Sequence, residues 1–395
     1  MARYLPPDGW TRRADLVPLV AALGPENMRW VGGAVRDTVL GLPVADVDVA
    51  TTLLPEDVMR RLEQAGIRAI PTGIDHGTVT AVRDGGNVEI TTLRRDVATD
   101  GRHATIAFAD DWRDDAARRD FTMNALYAHP ETREISDYFG GLEDLSNRRI
   151  RFIGDARERI AEDHLRILRY FRFHARFGGA LDNDARTACE SMSATLKGLS
   201  RERVARELLG LLALPDPAPT VELMLQSGVW SVVLPETALH HHEQLVRLIA
   251  AEARDAVPPD PIRRLVAMLP PNADIATKVG TRLRLSRAQR SRMANAAGRT
   301  KGADPRALAY AIGRDGAIDR LLLLGEPTNA LANWTVPTLP LKGGEIVKRG
   351  VTAGPQIAII LRTVETRWVN EGFPDRARVE TILNDILAER DRLNT

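Results

Sequence analysis

The apolar pattern of this chain changes its period once, and that change limits what it can fold into. Up to about residue 140, short strand-like runs alternate with helical stretches. From about Ala156 onward strand signals nearly vanish and helical periodicity takes over. Met28 to Val31 is a short apolar strand that runs into Gly32-Gly33. A helix follows from about Ala34 to Leu40, stopped by Gly41 and Pro43. Val44 to Ala50 is a second strand with alternating Asp, and Pro55 opens a helix that runs to about Ala65. Three strand-like runs lie near 67–71, 77–83 and 87–93, with Asp84-Gly85-Gly86 as a hairpin turn between the last two. Residues 14–24 read as an amphipathic helix. Residues 96–117 are polar and rich in Asp, Arg and Ala, which predicts a mobile loop with a short helix. The expected class is α+β: a mixed α/β head over residues 1–145, a helical neck over 146–215, and a helical body and tail over 216–395. Pro215, Pro217 and Pro219 mark one joint, and Pro258 to Pro271 another.

Bulk composition adds exclusions. At 395 residues the chain exceeds one ordinary domain. Its 54 basic and 53 acidic side chains give a net charge of +1, so any nucleic-acid surface must be local. One such patch is expected from Arg148 to Arg176, where nine Arg face four acidic residues. Cys189 is the one cysteine, which excludes an internal disulfide and a Cys-rich zinc site. No run of about 18 apolar residues occurs, and Met1 to Trp10, with Pro6, Pro7 and Asp8, does not read as a signal peptide. A cytoplasmic protein with no membrane partner is expected.

The segment Gly32 to Asp48 carries the most chemistry. Two glycines between a strand and a helix let the backbone approach a phosphate, and the helix N-terminus offers unpaired N–H groups. Arg36, on the first turn, reaches the same anion. Asp46 and Asp48, two apart on a strand, share a face about 7 Å apart. Such a pair suits two Mg²⁺ ions about 4 Å apart in an in-line nucleotidyl transfer. Taken alone, Asp-x-Asp is also an ordinary polar strand edge. Glu89, on another strand, is a third carboxylate able to complete the metal shell or to take the proton of an attacking hydroxyl; it is equally an ordinary solvated strand residue. A dinucleotide site is excluded because the full Gly-x-Gly-x-x-Gly fingerprint is absent.

Four ordered stretches resemble one family. Gly32-Gly33-Ala34-Val35-Arg36-Asp37, with Leu40-Gly41-Leu42-Pro43 and Asp46-Val47-Asp48, resembles the first motif of class II tRNA nucleotidyltransferases and bacterial poly(A) polymerases, members of the polymerase-beta-like superfamily. Gly73 to Thr78 with Glu89 to Arg94 resembles the strands behind the site. Arg118-Arg119-Asp120-Phe121-Thr122-Met123-Asn124 resembles the ribose-recognition motif, and Glu162-Asp163-His164-Leu165-Arg166, with Arg169 and Arg172, the helix that reads the incoming base. The matches span about 30–178. The resemblance implies transfer of CTP and ATP onto the 3′ end of tRNA with Mg²⁺. It implies an Arg on the nucleotide phosphates, Arg119 in preference to Arg118, and Asp120 on the ribose hydroxyl, with Asn124 beside it.

Asp163, Arg166, Arg169 and Arg172 recur every three residues, which predicts a row along one side of a helix. A carboxylate accepts from an exocyclic amine and an Arg donates to a ring nitrogen or carbonyl, a pattern that fits C and A together. The same spacing also describes a salt-bridged helix face. Within the family a full CCA-adding enzyme, a CC-only or A-only enzyme and a poly(A) polymerase share these motifs, and a catalytically inactive RNA-binding relative would share the fold. Gly73 to Thr78 and the absence of a basic C-terminal tail favour the CCA type. The helical remainder, from about 180, is expected to hold tRNA by charge and shape. His240-His241-His242 point in three directions on a helix and cannot chelate together. The scattered Trp residues read as core, and His76 as structural.

Overall fold

The structure, a computed structural model, describes residues 4–99, 104–179, 181–300, 302 and 304–393. Its contacts divide the chain into two compact units, Met1–Pro235 and Glu236–Thr395. The first is built on a seven-stranded mixed sheet. Its strands are β1 (Met28–Val31), β2 (Val47–Thr51), β3 (Ala69–Gly73), β4 (Thr78–Ala81), β5 (Val88–Thr92), β8 (Leu126–Ala128) and β9 (Ile135–Asp137), in the order β3-β4-β5-β2-β1-β8-β9. Every neighbouring pair is antiparallel except β2 and β5. Helices α1 (Val17–Leu23), α2 (Gly33–Val39) and α3 (Pro55–Gln64) accompany it, with α2 packed on β1, β2 and β8 and α3 on β3 and β4. Val31, Ala50, Leu93, Ala125 and Tyr127 form one continuous buried layer.

Two expectations for this region are corrected. Asp46 precedes β2 instead of lying on it, in an exposed irregular stretch after Pro43. Residues 96–117 are mostly regular: β6 (Arg94–Thr99) pairs antiparallel with β7 (Ala104–Phe108), followed by α4 (Trp112–Ala117), whose N-terminus Asp111 caps. Residues 100–103, part of the expected loop, lie outside the described residues.

Past the sheet the first unit is helical: α5 (Gly141–Ser146), α6 (Ala156–Glu162), α7 (Arg166–Phe177), α8 (Asn183–Met192), α9 (Arg201–Leu212), α10 (Ala218–Gln226) and α11 (Val229–Val233). Apolar residues of α7 recur at helical spacing, and Ile167, Leu168, Tyr170 and Phe171 are buried. Phe121, Phe152, Tyr170 and Phe173 stack on one another, with Phe152 and Tyr170 nearly parallel at 5.8 Å. Each such ring contributes roughly 1.5–3 kcal/mol on burial, so α7 is bound to the sheet domain by a shared aromatic core.

The second unit contains α12 (Leu239–Arg254), α13 (Pro261–Ala267), α14 (Ala273–Arg282), α15 (Arg287–Ala297), α16 (Pro305–Ile312), α17 (Arg314–Leu324), α18 (Gly343–Val347), α19 (Pro355–Asn370) and α20 (Arg376–Leu393). Its interior holds a charge network. Arg263 and Arg264 of α13 bind Glu252 of α12, and Arg263 also binds Asp319 of α17 at 3.2 Å. Trp368, Val364, Ile382 and Leu383 form an apolar core between α19 and α20. Trp10, Trp30, Trp230 and Trp368 are buried, in keeping with the expected core role. No described helix is long and apolar enough to cross a membrane.

Candidate active site

The first functional element follows from sheet register. Across one face Glu89 of β5 lies beside Asp48 of β2, Asp48 beside Val31 of β1, and Val31 beside Tyr127 of β8. Laterally paired residues point the same way, so two carboxylates stand together next to the strand end that leads into Gly32-Gly33. Burial pushes the Asp48 carboxyl up to about 6, with Glu89 and Asp46 adding to the rise and Arg119 opposing it. Crowded carboxylates of this kind fit a divalent cation, which would relieve their repulsion. Among the described residues no three His, Cys, Asp or Glu side chains form a closed metal cage. An open pair suits magnesium, which takes one or two carboxylates and completes its shell with water and substrate phosphate.

Gly32 adopts φ 68° and ψ −124°, open to glycine and strained for other residues. That turn leads into the N-terminus of α2, and Gly32 and Gly33 both line the cleft. Arg36 lies beneath them, donating to Asn124 Oδ1 at 2.5 Å and to Asp37 Oδ1 at 2.8 Å, its guanidinium over the Phe173 and Phe177 rings.

The ribose-motif residues come together. Thr122–Asn124 is a single 3₁₀ turn, and Asp120 precedes it. Asp120 Oδ1 accepts from Asn124 Nδ2 at 2.9 Å and from the Phe121 N–H at 2.8 Å, while Oδ2 accepts from Arg169 Nε at 2.6 Å. Burial opposes ionisation, but these donors hold the carboxyl below its usual range. Arg119 is fixed by Asp115 and the Tyr127 hydroxyl, with its Nη1 beside Gly32. Arg118 leans on the other oxygen of Asp115.

The expected four-residue row is corrected at its start. Asp163 ends α6 in an extended conformation, φ −147° and ψ 103°, and α7 begins only at Arg166. An Asp just before a helix satisfies its free N–H groups, and here Oδ1 accepts from Leu165 N at 3.1 Å while Oδ2 binds Arg203 Nη2 at 2.6 Å. Arg166 is buried and donates to Glu162, to the Arg159 carbonyl and to the Arg118 carbonyl. Three of its five N–H donors are thereby used, leaving two for a ligand. Arg169 binds Asp120, and Arg172 binds Glu207 of α9.

A cleft of about 500 Å³ gathers these groups: Gly32, Gly33, Arg36, Asp48, Arg118, Arg119, Asp120, Asn124, Asp163, Arg166 and Arg169 all line it. Arg172, Asp46 and Glu89 do not; Arg172 holds Glu207, and the two acids stand beside Asp48. Sequence reading missed Phe173, Arg203, Arg206 and Glu207, which complete the wall. The last three recur at i, i+3 and i+4 on α9 and so share one side, a signal available from spacing alone. Elsewhere, His241 Nδ1 accepts from the Ala238 N–H at 2.8 Å at the start of α12, a structural contact.

A mixed sheet carrying a Gly-Gly turn beside paired carboxylates, with a basic cleft completed by helices, defines a nucleotidyltransferase of the polymerase-beta type. The family described as "Poly A polymerase head domain" matches residues 28–151, and "Probable RNA and SrmB- binding site of polymerase A" matches 180–240. The human "CCA tRNA nucleotidyltransferase 1, mitochondrial" is 33% identical over 374 residues, covering 88% of this chain and 84% of that protein. The CCA-adding enzyme of Geobacillus stearothermophilus is 40% identical over 224 residues, 56% of this chain and 54% of its own. The crystal structure of the Bacillus stearothermophilus CCA-adding enzyme in complex with CTP superposes with a TM-score of 0.77 at 26% identity, covering 96% of this chain and 99% of that one. The Thermotoga maritima CCA-adding enzyme complexed with tRNA shares the fold, with a TM-score of 0.69 at 21% identity and coverage of 95% and 94%. The chain belongs to the class II CCA-adding tRNA nucleotidyltransferase family.

Proposed function

We propose that this chain adds C, C and A in turn to the 3′ end of tRNA from CTP and ATP and then stops. The observation that carries this reading is one cleft lined together by Asp163, Arg166, the Gly-Gly turn and Asp48, with two N–H donors of Arg166 not taken up by its three protein hydrogen bonds. The carboxylate of Asp163 accepts from the exocyclic amine of cytosine or adenine, and Arg166 donates to the adjoining ring acceptors. Uracil offers a carbonyl and an N–H in their place, so both contacts fail. Asp120 and Asn124 take the ribose hydroxyl. Arg119, with Gly32, Gly33 and Arg36, takes the triphosphate, while Arg169 and Arg172 hold Asp120 and Glu207 in position. The 3′ hydroxyl oxygen of the RNA bonds to the α-phosphorus, the bond from that phosphorus to the bridging oxygen breaks, and pyrophosphate leaves. The hydroxyl proton passes toward the carboxylates, Glu89 being the acceptor paired laterally with Asp48. Magnesium bound at Asp46 and Asp48 would supply charge neutralisation for the attacking and leaving oxygens. Head, neck and body take the ranges 1–145, 146–215 and 216–395, and the lone buried Cys189 suits a reducing cytosol.

The test is incubation of the protein with Mg²⁺, single labelled nucleotides and tRNA ending in –N, –C or –CC. The expected products end at the A of a completed CCA, and a generic oligonucleotide is extended poorly. Long A-tails on both substrates with no use of CTP would make the chain a poly(A) polymerase. A finer test concerns the base. Arg166→Ala is expected to reduce the preference for CTP over UTP, measured as kcat/KM, by about 1–3 kcal/mol. Unchanged selectivity with lost tRNA affinity would make Arg166 an RNA-phosphate contact.

A further inference from the structure

Tyr127 does not line the nucleotide cleft, yet it stands in the strand row that holds the carboxylates. It pairs laterally with Val31 of β1, which pairs with Asp48 of β2. Its side chain therefore lies on the same face of the sheet as Asp48, two strands or roughly 10 Å away. The ring is fully buried and is held edge-on by Trp112 of α4 and by Tyr138, each at 6.0 Å between centroids. Its hydroxyl works in two directions. It donates to Asp115 Oδ2 at 2.6 Å and accepts from Arg119 Nε at 2.9 Å. A phenol has one proton, so committing that proton to Asp115 turns a lone pair toward Arg119. The same Asp115 oxygen accepts from Arg119 Nη2 at 3.1 Å. One edge of the guanidinium is thus gripped by a phenol oxygen and a carboxylate oxygen that are bonded to each other.

This brace separates Arg119 from its neighbour. Among the described residues Arg118 is held at one nitrogen, its Nε donating to Asp115 Oδ1 at 2.8 Å. Arg119 is held at Nε and Nη2, and its Nη1 lies 3.5 Å from the Asn124 carbonyl and 3.4 Å from where Gly32 would carry a Cβ. The open edge of Arg119 is therefore aimed at the Gly-Gly turn, and three of its five N–H donors are used, leaving two for a ligand. An arginine on a free stem gives up side-chain freedom when it grips a phosphate, whereas one held in advance has already given it up. The carboxylate behind the brace is dependable as well: burial opposes its ionisation, but Arg119 and Arg118 hold the Asp115 carboxyl down at about 2.

We propose that Tyr127, fixed by Asp115, is a positioning residue that aims Arg119 at the outer phosphates of the incoming nucleotide, and so sets how strongly the cleft prefers a triphosphate to a monophosphate. This rests on the reading that Arg119 takes the triphosphate. Tyr127 itself touches no nucleotide; it acts through the direction it gives to one guanidinium.

The test uses the full-length protein with Mg²⁺ and no RNA, so that nucleotide binds without turnover. Tyr127→Phe removes the hydroxyl and keeps the ring with its packing. Affinities for CTP and CMP are measured by equilibrium dialysis. CTP binding is expected to weaken about tenfold, the effect of losing one hydrogen bond to a charged group, while CMP binding stays within about twofold of the wild type. An equal loss for both nucleotides, or no loss for CTP, overturns the proposal. The same change is then made in an Arg119→Gln background. Arg119→Gln is expected to lose the preference for CTP by itself, and Tyr127→Phe to add nothing further, because residues acting through one contact are not additive. A further loss there as large as in the wild type would mean that Tyr127 acts independently of Arg119, and it too overturns the proposal. If Arg119→Gln bound CTP as the wild type does, Arg119 would not take the triphosphate, and the reading beneath the proposal would fall with it. That result is distinct from a failure of Tyr127→Phe alone.

Discussion

Replacing Asp48 with asparagine is expected to abolish nucleotide transfer and, at neutral pH, to make the metal-free protein more stable. Loss of transfer follows from its place beside Glu89 and the Gly-Gly turn, where a ligand oxygen would be replaced by an amide. Turnover should fall by at least a thousandfold, and retention of a tenth of the wild-type rate would remove Asp48 from the metal site. The gain in stability follows from the carboxyl raised to about 6 in the folded state, against 3.8 for the ordinary group. A raised acid binds its proton more tightly when folded. Its stabilising contribution is therefore full below about pH 4 and disappears as pH rises through about 6. At pH 7.5 the ionised Asp48 costs about 1–3 kcal/mol, which the asparagine variant avoids. Thermal melts in chelator at pH 7.5 should place the variant above the wild type, and the gap should close toward pH 4. Added Mg²⁺ should raise the wild-type melting temperature and leave the variant unmoved. A variant that melts lower at pH 7.5 would refute the electrostatic account.

Asp319→Ala is expected to be the most damaging single change in the second unit. The carboxylate is fully buried and binds Arg263 at 3.2 Å and Arg292 at 2.6 Å. Arg263 is buried as well and would keep only Glu252, which it shares with Arg264, so removing the acid leaves the interior one negative charge short. Breaking such a pair costs about 3–5 kcal/mol. For a unit of this size the melting temperature should drop by roughly 10 °C. Because the nucleotide cleft lies wholly in the first unit, CTP affinity should hold at temperatures where the second unit has melted. A loss below about 1 kcal/mol would mean that water or rearrangement compensates the arginines.

These two residues differ in how well the sequence announced them. Asp48 was legible because a local pattern, Gly-Gly followed by Asp-x-Asp, requires one strand–helix–strand unit. The lateral pairing of Asp48 with Glu89 was open to conjecture only, since it depends on β2 and β5 being parallel neighbours, a non-local property of a sheet ordered 3-4-5-2-1-8-9. Asp46 was read as a strand residue because alternation continues through it, but β2 begins only at Val47. Asp163 fitted a three-residue spacing equally well as a helix member and as the extended residue before one, and periodicity cannot separate those cases. The hairpin of β6 and β7 was read as a loop because Arg94 to Thr99 carries few apolar side chains, and strand signals rest on them. Asp319 gave no signal at all, because a lone acid on a helix is an ordinary surface residue until partners from α13 and α15 close over it.

The ionic ties of α7 bear on how this chain can be recombined. Arg176 binds Asp37 at 2.9 Å and Arg169 binds Asp120 at 2.6 Å, so α7 is fastened to α2 behind the Gly-Gly turn and to the Arg118–Asn124 stretch. A chimera joined near residue 145 would give each of these acids a foreign partner and would line one cleft with residues from different ancestors. A junction after Pro235 would transfer the whole cleft intact. The residues of the cleft are thus inherited as one block, and exchange between relatives is easiest in the helices beyond it.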